Sequence, residues 1–181
     1  MNAFESAQRK MIPAVLVYLF HAGKILMLHR ISKDPSRKDD IHKDKWNGLG
    51  GKLEADESST AAVIREVQEE SGILLRVDQL QALGTLHFPG FKPKKNEDWM
   101  VFVYRAEIDA DQAANLITES VEGSLSWIAA EKVVELPLWD GDRHFIPYVL
   151  QGKPFQGTYW YVDGALRRHE TVVLADASTK R

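Results

Sequence analysis

The sequence predicts one mixed α/β domain, with strands and helices alternating along the chain. The prediction rests on an apolar strand pair about a tight turn near the start, a capped amphipathic helix further on, and a turn dipeptide between two strands near the end. A chain of 181 residues with 44% hydrophobic content can bury one substantial core. No segment reads as a linker between two domains.

The elements follow in order. Ala14–Phe20 and Lys24–His29 are apolar runs around His21-Ala22-Gly23, the pattern of a hairpin. Ser32–Lys45, dense in Lys, Asp and Arg, reads as a solvated loop before Trp46 opens the glycine-rich turn Asn47-Gly48-Leu49-Gly50-Gly51-Lys52. Ser58–Ser71 is expected to be helical, capped by Asp56 or Ser58 and ended by Gly72 in the left-handed conformation. Its stripe of Thr60, Ile64, Val67 and Ser71 is expected to face a sheet. Strands near Leu80–His87 and Trp99–Glu107 precede a polar stretch ending at Ser124–Ile128. Short helices are expected at Ala129–Glu135 and Arg143–Leu150. Thr158–Val162 and His169–Leu174 bracket Asp163-Gly164, a dipeptide suited to a hairpin turn.

Composition narrows the function. No run approaches the roughly 18 apolar residues of a membrane span, and MNAFESAQRK lacks the ordered regions of a signal peptide. The chain has no cysteine, which excludes disulfides, thiolate metal sites and cysteine nucleophiles. A cytoplasmic protein is expected. The net charge of −3 argues against a nucleic-acid polymer as partner. A small phosphorylated molecule needs only a local cationic pocket.

The helix carries the chemistry. At about 100° per residue, Glu66, Glu69 and Glu70 fall within about a third of its circumference. Like charges at these spacings repel, and a bound cation relieves the repulsion. An all-carboxylate set without imidazole or thiolate suits a hard ion, Mg²⁺ or Mn²⁺, which keeps waters and shares phosphate oxygens. Arg65 can reach both Glu69 and Glu57 and so orient carboxylates. Gly48, Gly50 and Gly51 let the backbone approach a ligand, where a carbonyl can add a neutral donor. Lys52 is placed to meet phosphate.

The run Gly51 to Ile73 resembles the Nudix box at every specified position: Gly51, Glu57, the pair Arg65-Glu66, Val67, the pair Glu69-Glu70, then Gly72-Ile73. The resemblance implies an α/β/α sandwich in which helices cover a mixed sheet, with a core over about residues 13–162 and a C-terminal hairpin to about 174. It also implies that Glu66 and Glu70 are the main metal ligands, with Glu69 assisting and the Gly50 carbonyl contributing. A general base is expected either from this glutamate cluster or from the loop holding Glu119 and Glu122, where Glu122, shortly before Trp127, matches an additional ligand or base.

Two runs outside the box, Trp46–Lys52 and Leu136–Phe145, resemble MutT-type enzymes that hydrolyse oxidised purine nucleoside triphosphates. Oxidation at C8 turns guanine N7 from an acceptor into an N–H donor, so a pocket offering an acceptor gains a hydrogen bond with the damaged base. Asn47 offers donor and acceptor, Asp142 accepts, and Trp139 can stack on a purine. Arg30 matches a basic position that contacts substrate in similar enzymes. The animal enzymes have Trp-Pro-Asp-Asp where this chain reads Trp139-Asp140-Gly141-Asp142, so one acidic position is a glycine.

The expected reaction is Mg²⁺-dependent cleavage of a nucleoside triphosphate to monophosphate and pyrophosphate, with oxidised dGTP as substrate. The alternatives are hydrolysis of a diphosphate-linked nucleoside such as ADP-ribose, and a non-catalytic nucleotide-binding module. Lys92, Lys94 and Lys95 read as a solvated loop ahead of the alternative, a phosphate clamp, and His29, His42, His87 and His144 lack metal-ligand spacing. Phe88, Phe91 and Trp99 line the cleft or fill core.

Overall fold

The computed structural model describes residues 9–31, 44–120 and 122–174. Most of the expected Ser32–Lys45 loop, with His42, lies outside the described residues.

Strands β1 (Lys10–His21) and β2 (Lys24–Arg30) form the predicted hairpin. Ala22 and Gly23 both take positive φ, 48° and 74°, the turn geometry whose twist matches flanking strands. Next come β3 (Trp46–Asn47), α1 (Ser59–Ser71), β4 (Leu80–Lys92) and β5 (Glu97–Glu107). The short helix α2 (Ala110–Ala114), which sequence reasoning missed, leads to β6 (Gly123–Ala129). The helix expected at Ala129–Glu135 is a 3₁₀ turn, Ala130–Glu135. Leu136 precedes Pro137 and is extended, so no longer helix can continue. Helix α3 (Asp142–Gln151) and the hairpin β7 (Phe155–Val162) and β8 (Ala165–Val173) complete the described chain.

Among the described residues the strands form one eight-stranded sheet, ordered β3-β2-β1-β5-β4-β7-β8, with β6 also paired to β2. It is mixed: β1 runs parallel to β5 and β4 parallel to β7, while the other pairs are antiparallel. The continuous apolar run of β1 is explained by burial on both faces. Ala14, Leu16, Tyr18 and Phe20 face a core with Phe145, Ile146 and Val149 of α3. Val15, Val17 and Leu19 face the other side, with Ala62, Val63 and Val67 of α1. Strand alternation thus divides one sequence run between two helical layers, producing the α/β/α sandwich.

Helix α1 begins and ends as predicted. The Ser58 hydroxyl, not Asp56, caps it by accepting from Ala61 N–H at 3.1 Å, and Gly72 closes it at φ 74°. Its buried face differs from the expected stripe: Ala62, Val63, Val67, Glu70 and Ser71 are buried, whereas Thr60 and Ile64 are half-buried. The helix is rolled so that one glutamate points inward. Among the described residues no helix is long and apolar enough to cross a membrane.

Candidate active site

The site is built on an interruption of the sheet. Strand β2 pairs with β1 only beside the turn, at Phe20–Ile25 and His21–Lys24. The freed edge of β1 is taken by the glycine-rich segment: Val17 N–H donates to Leu49 O at 2.8 Å, Leu49 N–H returns to Val17 O at 3.0 Å, and Val15 N–H donates to Gly51 O at 2.8 Å. With Leu49 and Gly51 turned toward β1, alternation turns Gly50 the other way, toward α1. Its N–H donates to Glu70 Oε2 at 2.9 Å.

Glycine is needed at both central positions. Gly50 has φ 143°, and a Cβ there would stand 2.1 Å from Val15 O. A Cβ on Gly51 would stand 2.4 Å from Glu66 Oε1, so the opening glycine of the box makes room for a carboxylate.

The acids on α1 separate by burial. Glu70 is 7% exposed, Glu66 is half-buried against Gly51, and the Glu69 side chain is 59% exposed on the outer side. Arg65 ties the group together. Its guanidinium donates to both oxygens of Glu57, at 2.8 and 2.9 Å, to Glu66 Oε1 at 2.8 Å, to Glu69 Oε2 at 3.3 Å and to the Lys52 carbonyl at 3.1 Å. These bonds hold the Glu57 carboxyl down to about 2 and push the Arg65 guanidinium above its ordinary value. Arg65 therefore positions acids and is not itself a metal ligand.

Glu122, from the loop before β6, comes to the same cleft and is ion-paired with Arg30 at the end of β2. Glu119 is exposed and bridges to Ser124. Burial, then repulsion from Glu122 and Glu66, pushes the Glu70 carboxyl up to about 8. Burial first, with the charges of Glu69 and Glu122, raises Glu66 as well. Carboxyls that resist ionisation for these reasons are relieved by a cation. The donors are all oxygen, fitting a hard divalent ion. Among the described residues no group of three or more His, Cys, Asp or Glu side chains is placed to hold a metal ion. Glu66 and Glu70 would thus hold such an ion together with waters and substrate oxygens.

Glu66 and Glu122 line a cleft of about 660 Å³. Lys52 and Lys92 stand at its wall with their ammonium groups over the Trp99 ring, 5.3 and 4.7 Å from its centroid. Lys92 thus belongs to the cleft and not, as expected, to a solvated loop; burial, then the charge of Lys52, lowers its pKa. Phe88, Phe91, Trp139 and Tyr161, packed ring against ring, line it as well. Asn47, on β3, also lines the cleft, its Oδ1 accepting Gly48 N–H at 3.0 Å, which leaves its amide NH₂ for a ligand.

Asp142 is 7% exposed, and its Oδ2 is buried with no hydrogen-bond partner. It opens α3, but its side chain does not cap that helix. Burial pushes this carboxyl up to about 7. Tyr161 had no signal in the sequence, because β7 reaches the cleft only through its parallel pairing with β4. His29 and His144 instead stack on Trp46 and His169, at 4.6 and 3.7 Å.

Glu70 and Asp142 give the metal-free protein a distinctive pH response. Both folded-state values, about 8 and about 7, lie above the ordinary 4.5 and 3.8, so the folded state holds protons that the unfolded chain has released. Their contribution to stability is complete below pH of about 4 and is lost as pH rises to about 8. Thermal melts in chelator should show Tm falling from pH 5 to 8, as unfolding free energy is lost at no more than about 1.4 kcal/mol per pH unit for each group. Glu70→Gln should flatten the upper part of that slope. A Tm that rises across this interval would contradict the assignment.

Comparison with known proteins places this geometry. Residues 10–149 match the NUDIX domain. The chain is 31% identical over 144 residues to an oxidized purine nucleoside triphosphate hydrolase of Danio rerio, covering 80% of this chain and 83% of that protein. It is 32% identical over 119 residues to the mouse protein of the same name, covering 66% and 71%. A crystal structure of a MutT mutator protein from Bacillus halodurans superposes with a TM-score of 0.72 at 26% identity, covering 88% of this chain and 97% of that one. Nudix hydrolases generally use divalent metal ions and act on small nucleotide substrates. The chain belongs to the Nudix family and is a MutT-type phosphoanhydride hydrolase.

Proposed function

We propose that the protein cleaves a nucleoside triphosphate to the monophosphate and pyrophosphate with Mg²⁺ as cofactor, and that oxidised dGTP is its preferred substrate. The supporting observation is Asp142: a buried carboxyl with an unpartnered oxygen, in the cleft that Trp139, Tyr161, Glu66 and Gly50, the backbone partner of Glu70, also line. A buried polar atom without a partner is costly, and a purine N–H supplies the missing bond. Trp139 stacks on the base, and Asn47 reads a further edge atom through its amide.

The polyphosphate lies toward Arg30, Lys52 and Lys92, whose positive charge holds it in place. Glu66 and Glu70 hold the ion, with the Gly50 carbonyl as a further donor and Glu69 assisting from outside through Arg65. A bound ion neutralises phosphoryl oxygens and makes water more acidic. Glu122 takes the proton of the attacking water on Oε1, its Oε2 being bonded to Arg30. The water oxygen bonds to the α- or β-phosphorus as the P–O bond bridging the two breaks; pyrophosphate leaves with the electron pair in the first case and the nucleoside monophosphate in the second.

A substrate panel containing dGTP, 8-oxo-dGTP and ADP-ribose tests this reading. The expected order puts 8-oxo-dGTP first, with hydrolysis abolished by chelator. Faster turnover of ADP-ribose than of every triphosphate would replace the substrate, and nucleotide binding without any metal-dependent product would replace the activity. Product analysis in ¹⁸O-water assigns the attacked phosphorus.

A further inference from the structure

In the run Trp139-Asp140-Gly141-Asp142, the glycine has a steric cause. A Cβ on Gly141 would lie 2.6 Å from the Tyr161 hydroxyl oxygen, and Gly141 N–H donates to that oxygen at 2.7 Å. The tyrosine therefore occupies the space that any side chain at 141 would need.

Three features make this hydroxyl more than a backbone clamp. A phenol has one proton to donate as well as lone pairs to accept, and among the described residues the only hydrogen bond of the Tyr161 hydroxyl is the one it accepts from Gly141. Its proton is uncommitted. The ring is wedged edge-on against Trp139 and Phe91, at 5.7 and 6.3 Å, so the oxygen is fixed in position. Tyr161 and Asp142 both line the cleft, and Asp142, next in sequence to the Gly141 that binds Tyr161, has the buried unpartnered oxygen. Burial, then the nearby Asp142 and Asp140 charges, raises the Tyr161 pKa, so the phenol stays protonated.

We infer that the Tyr161 hydroxyl is a specificity-determining donor which, paired with the acceptor Asp142, selects purines with a carbonyl oxygen at C6 over those with an amino group there. The inference deepens the proposed purine-nucleotide reading and rests on it. A 6-oxopurine presents an acceptor, O6, beside a donor, N1–H. A 6-aminopurine presents the reverse, an N–H beside a bare ring nitrogen. The donor–acceptor pair of Tyr161 and Asp142 complements the first and opposes the second at both atoms. Such a site rejects the mismatched analogue because its own polar groups are left unpaired.

The test is binding of nucleoside monophosphates at pH 8, above the Asp142 value of about 7. The two ligands are 8-oxo-dGMP and its 2,6-diaminopurine counterpart, followed by calorimetry on wild type and Tyr161→Phe. Wild type is expected to prefer the 6-oxo ligand by at least about tenfold, and Tyr161→Phe to lose most of that preference. A purely structural tyrosine would lower both affinities together, and an unchanged ratio in Tyr161→Phe overturns the inference. So does a wild type that binds the two ligands equally or binds neither, whether or not the variant folds. Wild-type preference that depends on Tyr161, without triphosphate hydrolysis, removes the proposed reaction and leaves this inference standing. Normal hydrolysis with an unchanged ratio does the opposite.

Discussion

Glu70→Gln is expected to reduce hydrolysis by roughly two to four orders of magnitude while the protein stays folded. Glu70 is 7% exposed and accepts Gly50 N–H at 2.9 Å. A glutamine oxygen can accept the same bond, so the glycine segment keeps its place on β1. The substitution removes the charge that a divalent ion needs, together with the repulsion that Glu122 and Glu66 exert on Glu70. The metal-free variant should therefore melt no lower than wild type at pH 8. Steady-state assays with circular dichroism decide the matter: a folded variant with near-normal metal-dependent turnover would remove Glu70 from the site.

The second large effect is expected at Arg65. Its guanidinium is 22% exposed and joins Glu57, Glu66 and Glu69 to the Lys52 carbonyl. Arg65→Ala leaves Glu66 against Gly51 without its counter-charge and releases Glu57 from the loop before α1. Activity should fall about ten- to a hundredfold through loosened carboxylates, and Tm should fall at neutral pH. The Glu57 part of that stability exists above its ordinary 4.5 and disappears as pH drops toward about 2. The Tm gap between variant and wild type should narrow correspondingly in acid. Arg65→Lys should not restore activity, because a single ammonium cannot replace a fork that reaches several acceptors. Equal melting and equal kcat in Arg65→Ala and wild type would leave the arginine without a role.

Much of this was legible in the residues. The hairpin at Ala22-Gly23, the caps at Ser58 and Gly72 and the turn at Asp163-Gly164 rest on local backbone preferences, which neighbours in space do not alter. The box was legible because its spacing encodes a helix end, an arginine fork and a glutamate face together. The roll of α1 was not. Periodicity places Glu66, Glu69 and Glu70 on one arc, but only packing against β1 decides that Glu70 points in and Glu69 out. Lys92 was misread for a related reason: a lysine-rich stretch reads as solvated until β4 and β5 carry it to the Trp99 ring.

By itself the sequence determined the alternation of elements, the apolar run of β1, the family and the carboxylate-rich face of α1, since each follows from residue type at short separation. The tertiary structure alone decided which distant residues share the cleft. Arg30 meets Glu122, Asp142 is left with an unpaired oxygen, and Tyr161 fills the space above Gly141, because sheet pairing and helix packing bring segments together that no local pattern relates.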